Sequence, residues 1–204
     1  MTALAAPRSV TPASSRPAFA RVGIWLIAAA AVVFATLAIG SPVASRSLQS
    51  VERTTLDTTV AEYQQAMDAK NFDHIVETIP PKILDLMASR VGAEAAALKP
   101  MIVDLMKRSL EQMSLEHYSM DQSTQVVMEL PDGAPYVLIP TRTVFKASDE
   151  LRVQLKSHTL AIQDAGKWYL VRVAEAAHMA ILQQVYPEFA GVEFPRGSME
   201  VLKK

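Results

Sequence analysis

The chain contains no cysteine. That excludes disulfides, thiolate metal ligands and a lipid attached through a thiol, so any exported domain must hold together by its core alone. Glycine is scarce, at seven residues in 204. No Gly-rich phosphate loop, Walker pattern or G-x-S-x-G elbow occurs, which argues against nucleotide binding and serine-hydrolase chemistry. Acidic residues are missing from the whole N-terminal stretch, the first being Glu52. Residues 22–40, VGIWLIAAAAVVFATLAIG, carry no charge of either sign.

That uncharged run is the strongest positive signal. Roughly 18 apolar residues suffice to cross a bilayer, and Arg8, Arg16 and Arg21 precede it. A basic N-terminal flank predicts that this end stays in the cytoplasm and that everything after Ser41 lies outside it, periplasmic in a bacterium. Two outcomes follow. As an uncleaved anchor, the segment makes a single-pass inner- or plasma-membrane protein; its length exceeds the roughly 7–15 residues of a signal-peptide core. As a signal peptide, it is cut near Gly40, where Ala38-Ile39-Gly40 fits the small-x-small pattern, and the domain is exported. A soluble core helix would show a polar face, and this segment has none. Residues 1–21, rich in Ala, Ser, Pro and Arg, read as a disordered basic cytoplasmic leader. Residues 41–47 form a linker, and residues 48–204 form the outer domain.

Past residue 40 the chain has 17 basic against 21 acidic residues, a net charge of −4. No basic patch argues for nucleic acid or anionic headgroups, so the membrane is engaged through residues 22–40.

The first half of the outer domain has helical period. Leu56, Val60, Tyr63 and Met67 share one face of a helix over 49–69, which ends at Lys70-Asn71 with Asn as the left-handed residue. Phe72, Ile75, Val76 and Ile79 continue that spacing. Pro80-Pro81 then opens a helix with Ile83, Leu84 and Met87 inward, closed by Gly92. A further helix over 94–112 buries Leu98, Met101, Ile102, Leu105, Met106, Ser109 and Met113, with Pro100 in its first turn or at a kink. The second half has strand period: 114–121, 123–130, 135–147, 150–164 and 167–173. Pro131-Asp132-Gly133, Ser148-Asp149 and Asp164-Ala165-Gly166 are the turns. Between 150 and 164 the apolar phase flips from Leu151, Val153 and Leu155 to Leu160 and Ile162. An inserted residue would explain this, so a β-bulge is expected near Ser157–Thr159. Residues 175–186 read as a short helix, and YPEFAGVEFPRG as a wrapping loop. Helices first and hairpin-linked strands second imply an α+β domain.

The segments AEYQQAMDAKNFDHIVETIPPKIL, YVLIPTRTVF and LKSHTLAIQDAGKWYLVRV together resemble the NTF2-like superfamily, specifically exported bacterial domains without an assigned activity. The resemblance spans about residues 50–174, and S-x-T-L-A-I-x-D-x-G-K-W-Y is its most specific part. It implies a cone of about three helices packed on a curved antiparallel sheet. It implies no single function, because this fold hosts isomerases, dehydratases, adaptors and binding domains.

The chemistry-bearing residues are few. His74, His117, His158 and His178 are widely spaced, without metal-ligand spacing, and no cofactor is indicated. His158 draws notice because the expected bulge would re-aim it. Tyr63 on the first helix, with Thr141, Thr143 and Ser157 from the sheet, makes a candidate hydroxyl-lined pocket with His158 near it. The competing interpretation is that Tyr63 packs in the core and the threonines serve as strand formers. No carboxylate falls inward, so no catalytic residue is assigned. Met87, Met101, Met106, Met113, Met120 and Met128 suggest either an adaptable apolar groove or core filling. Trp168 and Tyr169 place one ring on each sheet face.

These features favour a non-enzymatic module that binds a small apolar ligand or a protein partner, with a homodimer through its sheet as one form. The alternatives are a small hydrolase or isomerase using the cone pocket, and a structural subunit of an envelope complex.

Overall fold

A computed structural model describes residues 46–112, 114–149, 151–174 and 176–203. The leader, the apolar run 22–40 and most of the linker lie outside them. Among the described residues, no helix is long and apolar enough to cross a membrane. The fold is α+β, with helices packed on a curled, half-barrel antiparallel sheet.

Helix α1 spans Ser50–Asp68. Its start is set by Glu52, whose carboxylate accepts the Gln49 backbone N–H at 2.8 Å and pairs with Arg46. Arg46 also donates to the Gly133 carbonyl at 3.1 Å and lies 3.6 Å from Glu129. Arg46, read from sequence as part of the linker, thus contacts the outer domain. Leu56 and Val60 on α1 are fully buried, and Tyr63 and Met67 are half-buried, as their spacing requires. The helix ends differently from expectation: Lys70, with φ 54°, is the left-handed residue. Asn71 instead caps α2 (Phe72–Glu77), its side chain accepting the His74 N–H at 3.3 Å. An amide that stops one helix can equally start the next.

Helix α3 covers Pro81–Arg90, with proline in its first turn as its fixed φ favours. Helix α4 covers Ala95–Gln112, with Pro100 well inside. Its buried face is narrower than the sequence suggests. Leu98 and Val103 are buried and Ile102, Met106 and Leu110 half-buried, whereas Met101 and Leu105 are 57% and 65% exposed and Ser109 faces solvent. Met113 lies outside the described residues. The methionines form no single surface: Met120 packs under α1, while Met87 and Met128 pack on the opposite side of the sheet.

The six strands are β1 (Ser114–Met120), β2 (Val126–Glu129), β3 (Pro135–Lys146), β4 (Leu151–Asp164), β5 (Lys167–Val173) and β6 (Ser198–Lys203). β3 and β4 form the long centre. β1 and β2 both pair with β3 on one side, and β5 and β6 both pair with β4 on the other. β6 follows the segment read as a wrapping loop and was given no element from sequence. Its Ser-Met-Glu-Val alternation is too short to read as a strand without the β4 edge that receives it.

The expected bulge near Ser157–Thr159 is absent. Register runs unbroken from Tyr136↔Ile162 to Lys146↔Arg152. The apolar phase flips for another reason, namely that both faces of the sheet are covered. On the inner face, Val137, Ile139, Ala161, Trp168 and Leu170 pack against Leu56 and Val60 of α1. On the outer face, Tyr136, Leu138, Leu160 and Ile162 pack against Ile83 of α3 and against Leu182, Tyr186 and Phe189. Leu182 belongs to helix α5, Ala176–Val185, which with the tail covers that face. The irregularity lies instead in β1, between Leu115 and His117.

Two contacts hold helices to sheet. The Trp168 Nε1–H donates to the Glu52 carbonyl at 3.0 Å and to Thr55 Oγ1 at 3.1 Å. The Leu170 N–H donates to the Thr78 carbonyl at 2.9 Å, so the α2–α3 corner covers the β5 edge.

Candidate functional site

Between α1, α4 and the inner sheet face lies a cavity of about 710 Å³. Its position follows from the packing. Towards the Val137 end of β3 the inner face carries large apolar residues that meet α1, whereas Thr141 and Thr143 are smaller and leave space. The apolar wall includes Met106 and Leu110 of α4, Leu115 of β1 and Phe145 of β3.

Three of the five candidate residues meet here: Tyr63, Thr141 and Thr143 all line the cavity. Ser157 and His158 do not. They line an adjoining depression of about 530 Å³ with Arg142, Lys156 and Arg196, which Thr141 also borders; Ser157, the register partner of Thr141, keeps to the inner face. Pro140, Arg142, Lys156 and His158 alternate with the cavity residues along β3 and β4, so they belong to the outer face. With no bulge to turn it, His158 stays there.

The floor is a cluster of hydroxyls. Thr141 Oγ1 lies 2.8 Å from Thr159 Oγ1 and donates to the Ile139 carbonyl at 3.0 Å. The Tyr118 hydroxyl sits beside those of Thr159 and Tyr63. The Tyr63 and Tyr118 rings lie 5.8 Å apart and tilted at 53°. Burial raises both phenols above their ordinary range, only partly opposed by the nearby Arg172 guanidinium. Both therefore stay neutral and serve as hydrogen-bond donors or acceptors, not as bases.

Three polar liners were not singled out from sequence, Tyr118, Thr159 and Arg172, and His178 was named only among the scattered histidines. Tyr118 is hidden by the β1 irregularity. The extra residue, Glu116, places Leu115 opposite Phe145 and Tyr118 opposite Thr143, so residues three apart share a face. Thr159 was assigned to a bulge that does not exist. Arg172 is the register partner of Thr159 and shares the inner face with Leu170 and Trp168. A strand cation that alternates with buried apolar residues is the signal that was available. His178 stands at the start of α5, and its buried Nδ1 has no hydrogen-bond partner among the described residues.

Other depressions carry less convergent chemistry. A groove of about 620 Å³ between α5 and the tail is lined largely by Ala174, Ala176, Ala180, Val173 and Phe194. Comparison with protein-family models, curated proteins and solved structures finds no match to this chain.

Proposed function

We propose that this is a membrane-tethered or exported NTF2-like domain that binds a small apolar ligand in its cone cavity outside the cytoplasm. The cavity itself carries the proposal. Its volume of about 710 Å³ falls within the roughly 300–1,000 Å³ typical of small-molecule sites, and apolar walls around a few convergent polar groups are what such sites use. Enzymatic use is less well supported. General acid–base chemistry needs a base within reach of the substrate and a group to orient it. The lining supplies one imidazole, His178, and no carboxylate.

Native mass spectrometry of the full chain from its host membranes tests the binding. A retained small-molecule adduct that is lost in Leu115→Trp is the expected result, and a bare polypeptide under gentle release would count against it. The tether is tested on a denaturing gel, where the mature chain should migrate more slowly than a chain starting at Ser41.

One observation favours a protein partner as a second reading. Met199 and Val201 on β6 are 71% and 51% exposed. They stand opposite Leu155 and Val153 and extend the inner apolar face beyond the cavity. Self-association through this face predicts a dimer by sedimentation that Met199→Lys with Val201→Lys abolishes; a concentration-independent monomer would remove it.

A further inference from the structure

The cavity has a charged end and an apolar end, and register separates them. Arg172 on β5 stands beside Thr159 on β4, which stands beside Ile139 on β3. Phe145 lies further along β3, and Leu115 stands opposite it on β1. At about 3.3 Å per residue and about 4.8 Å per strand, the diagonal from Arg172 to Phe145 spans roughly 20 Å before the sheet curls. At the first end stand the Arg172 guanidinium and the hydroxyls of Thr159, Tyr118 and Tyr63, and His178 of α5 also lines the cavity. Between the ends the wall is Met106, Leu105 and Leu110.

The charges at this site are one-sided. The lining contains a permanent cation and no carboxylate. Arg172 makes no ion pair among the described residues. The phenols beside it are neutral and able to donate. A guanidinium presents a planar fork of donors that matches a carboxylate. Arg172 is exposed although it lines the cavity, so water solvates the fork when no acid is bound; a carboxylate adds a bidentate ion pair that a neutral head cannot form, and an ammonium would set two like charges together. The apolar wall rewards a long alkyl chain by removing it from water.

We infer that the cavity takes a single-chain carboxylic acid, its head held by Arg172 and the adjoining hydroxyls and its chain running toward Leu115 and Phe145. This rests on the ligand-binding reading above and names its ligand class. Arg172 is then the residue that selects the head group, while the α4 wall accepts any chain of suitable length.

Photo-crosslinking separates the two levels. The full chain in lipid nanodiscs is exposed to diazirine-bearing hexadecanoic acid, hexadecanol and hexadecylamine, and labelled peptides are mapped by mass spectrometry. The acid should label peptides containing Met106, Leu115 and Phe145 about threefold to fivefold more than the alcohol, the size of one solvent-exposed ion pair. Arg172→Leu should bring the acid down to the level of the alcohol, and Arg172→Lys should keep part of the preference, with thermal melts confirming that both variants fold. The probe comparison on the unmodified chain needs no variant. Equal labelling of the cavity by acid and alcohol, stronger labelling by the amine, or no effect of Arg172→Leu would overturn the acid specificity while leaving a binding cavity. Absence of cavity labelling by all three probes would overturn the binding reading itself.

Discussion

The side-chain oxygens of Thr141 and Thr159 meet at 2.8 Å although the two residues are not ladder partners. Thr159 stands opposite Ile139, and Thr141 opposite Ser157. The contact is diagonal, and because Thr141 donates to the Ile139 carbonyl, the shared proton comes from Thr159. Both side chains are buried, so this small polar group lies under the cavity and is screened from water.

Removing one partner should therefore cost more than removing both. Thr159→Val is expected to destabilise the domain by about 1–2 kcal/mol, the price of an unsatisfied buried group. Thr141→Val with Thr159→Val should cost less than the sum of the two single changes. Chemical denaturation of the four chains measures the coupling, and strict additivity would contradict this account of the floor.

Trp168 joins the last hairpin to the first helix. Its side chain is fully buried and its N–H is shared between Glu52 and Thr55. Trp168→Phe removes both bonds and leaves a void, so a loss of about 2–4 kcal/mol is expected. The loss should appear as a lower unfolding midpoint with unchanged denaturant slope.

Two groups set opposite charge requirements on folding yet give the same sign of pH dependence. Arg46 holds the Glu52 carboxyl below its ordinary value, so its stabilisation is complete above the unfolded value of about 4.3 and fades as pH falls through the folded one. Burial lowers the His158 imidazole, so the unfolded chain takes up that proton first. Stability therefore declines as pH drops below about 6.5, the unfolded histidine value. Glu52→Gln should flatten the acid limb of a stability-against-pH curve. Imidazole NMR should place the His158 midpoint below about 6.5.

The β4–β5 turn places Ala165 at φ 49° ahead of Gly166 at φ 78°. Two successive positive φ angles suit Asn-Gly, whereas alanine pays a steric cost in the left-handed region. Ala165→Asn should raise stability by about 0.5–1 kcal/mol, read as a higher melting temperature. A lower one would show that the alanine methyl makes a contact of its own.

Most elements were legible because each has a local cause. Leu56, Val60, Tyr63 and Met67 are inward because 3.6 residues make a turn, and Pro81 begins α3 because its φ is preset. Gly133 turns the β2–β3 hairpin at φ 86°. The failures share a different cause, since each depends on what covers a residue. Leu160 and Ile162 looked out of phase only because α5 and the tail cover the outer face. β6 exists only because β4 has an edge to receive it. Met101 and Leu105 have the right helical spacing but stay largely exposed, Leu105 at the rim of the cavity.

The candidate site divides in the same way. Tyr63, Thr141 and Thr143 were found because helix and strand periods point them inward without further information. Ser157 shares their face as the register partner of Thr141 but does not line the cavity; His158 was linked to them by a bulge that the sheet does not contain, and Tyr118 was overlooked because of one that it does. Local periodicity and turn chemistry determined the helices, the first five strands of the sheet and the inward hydroxyls, since those depend on bonds and torsions along the chain. Tertiary packing alone decided that both sheet faces are covered, that the irregularity falls in β1, and that Arg172 stands beside Thr159. Those facts depend on which segments meet across space, and strand register carries that information between residues far apart in the chain.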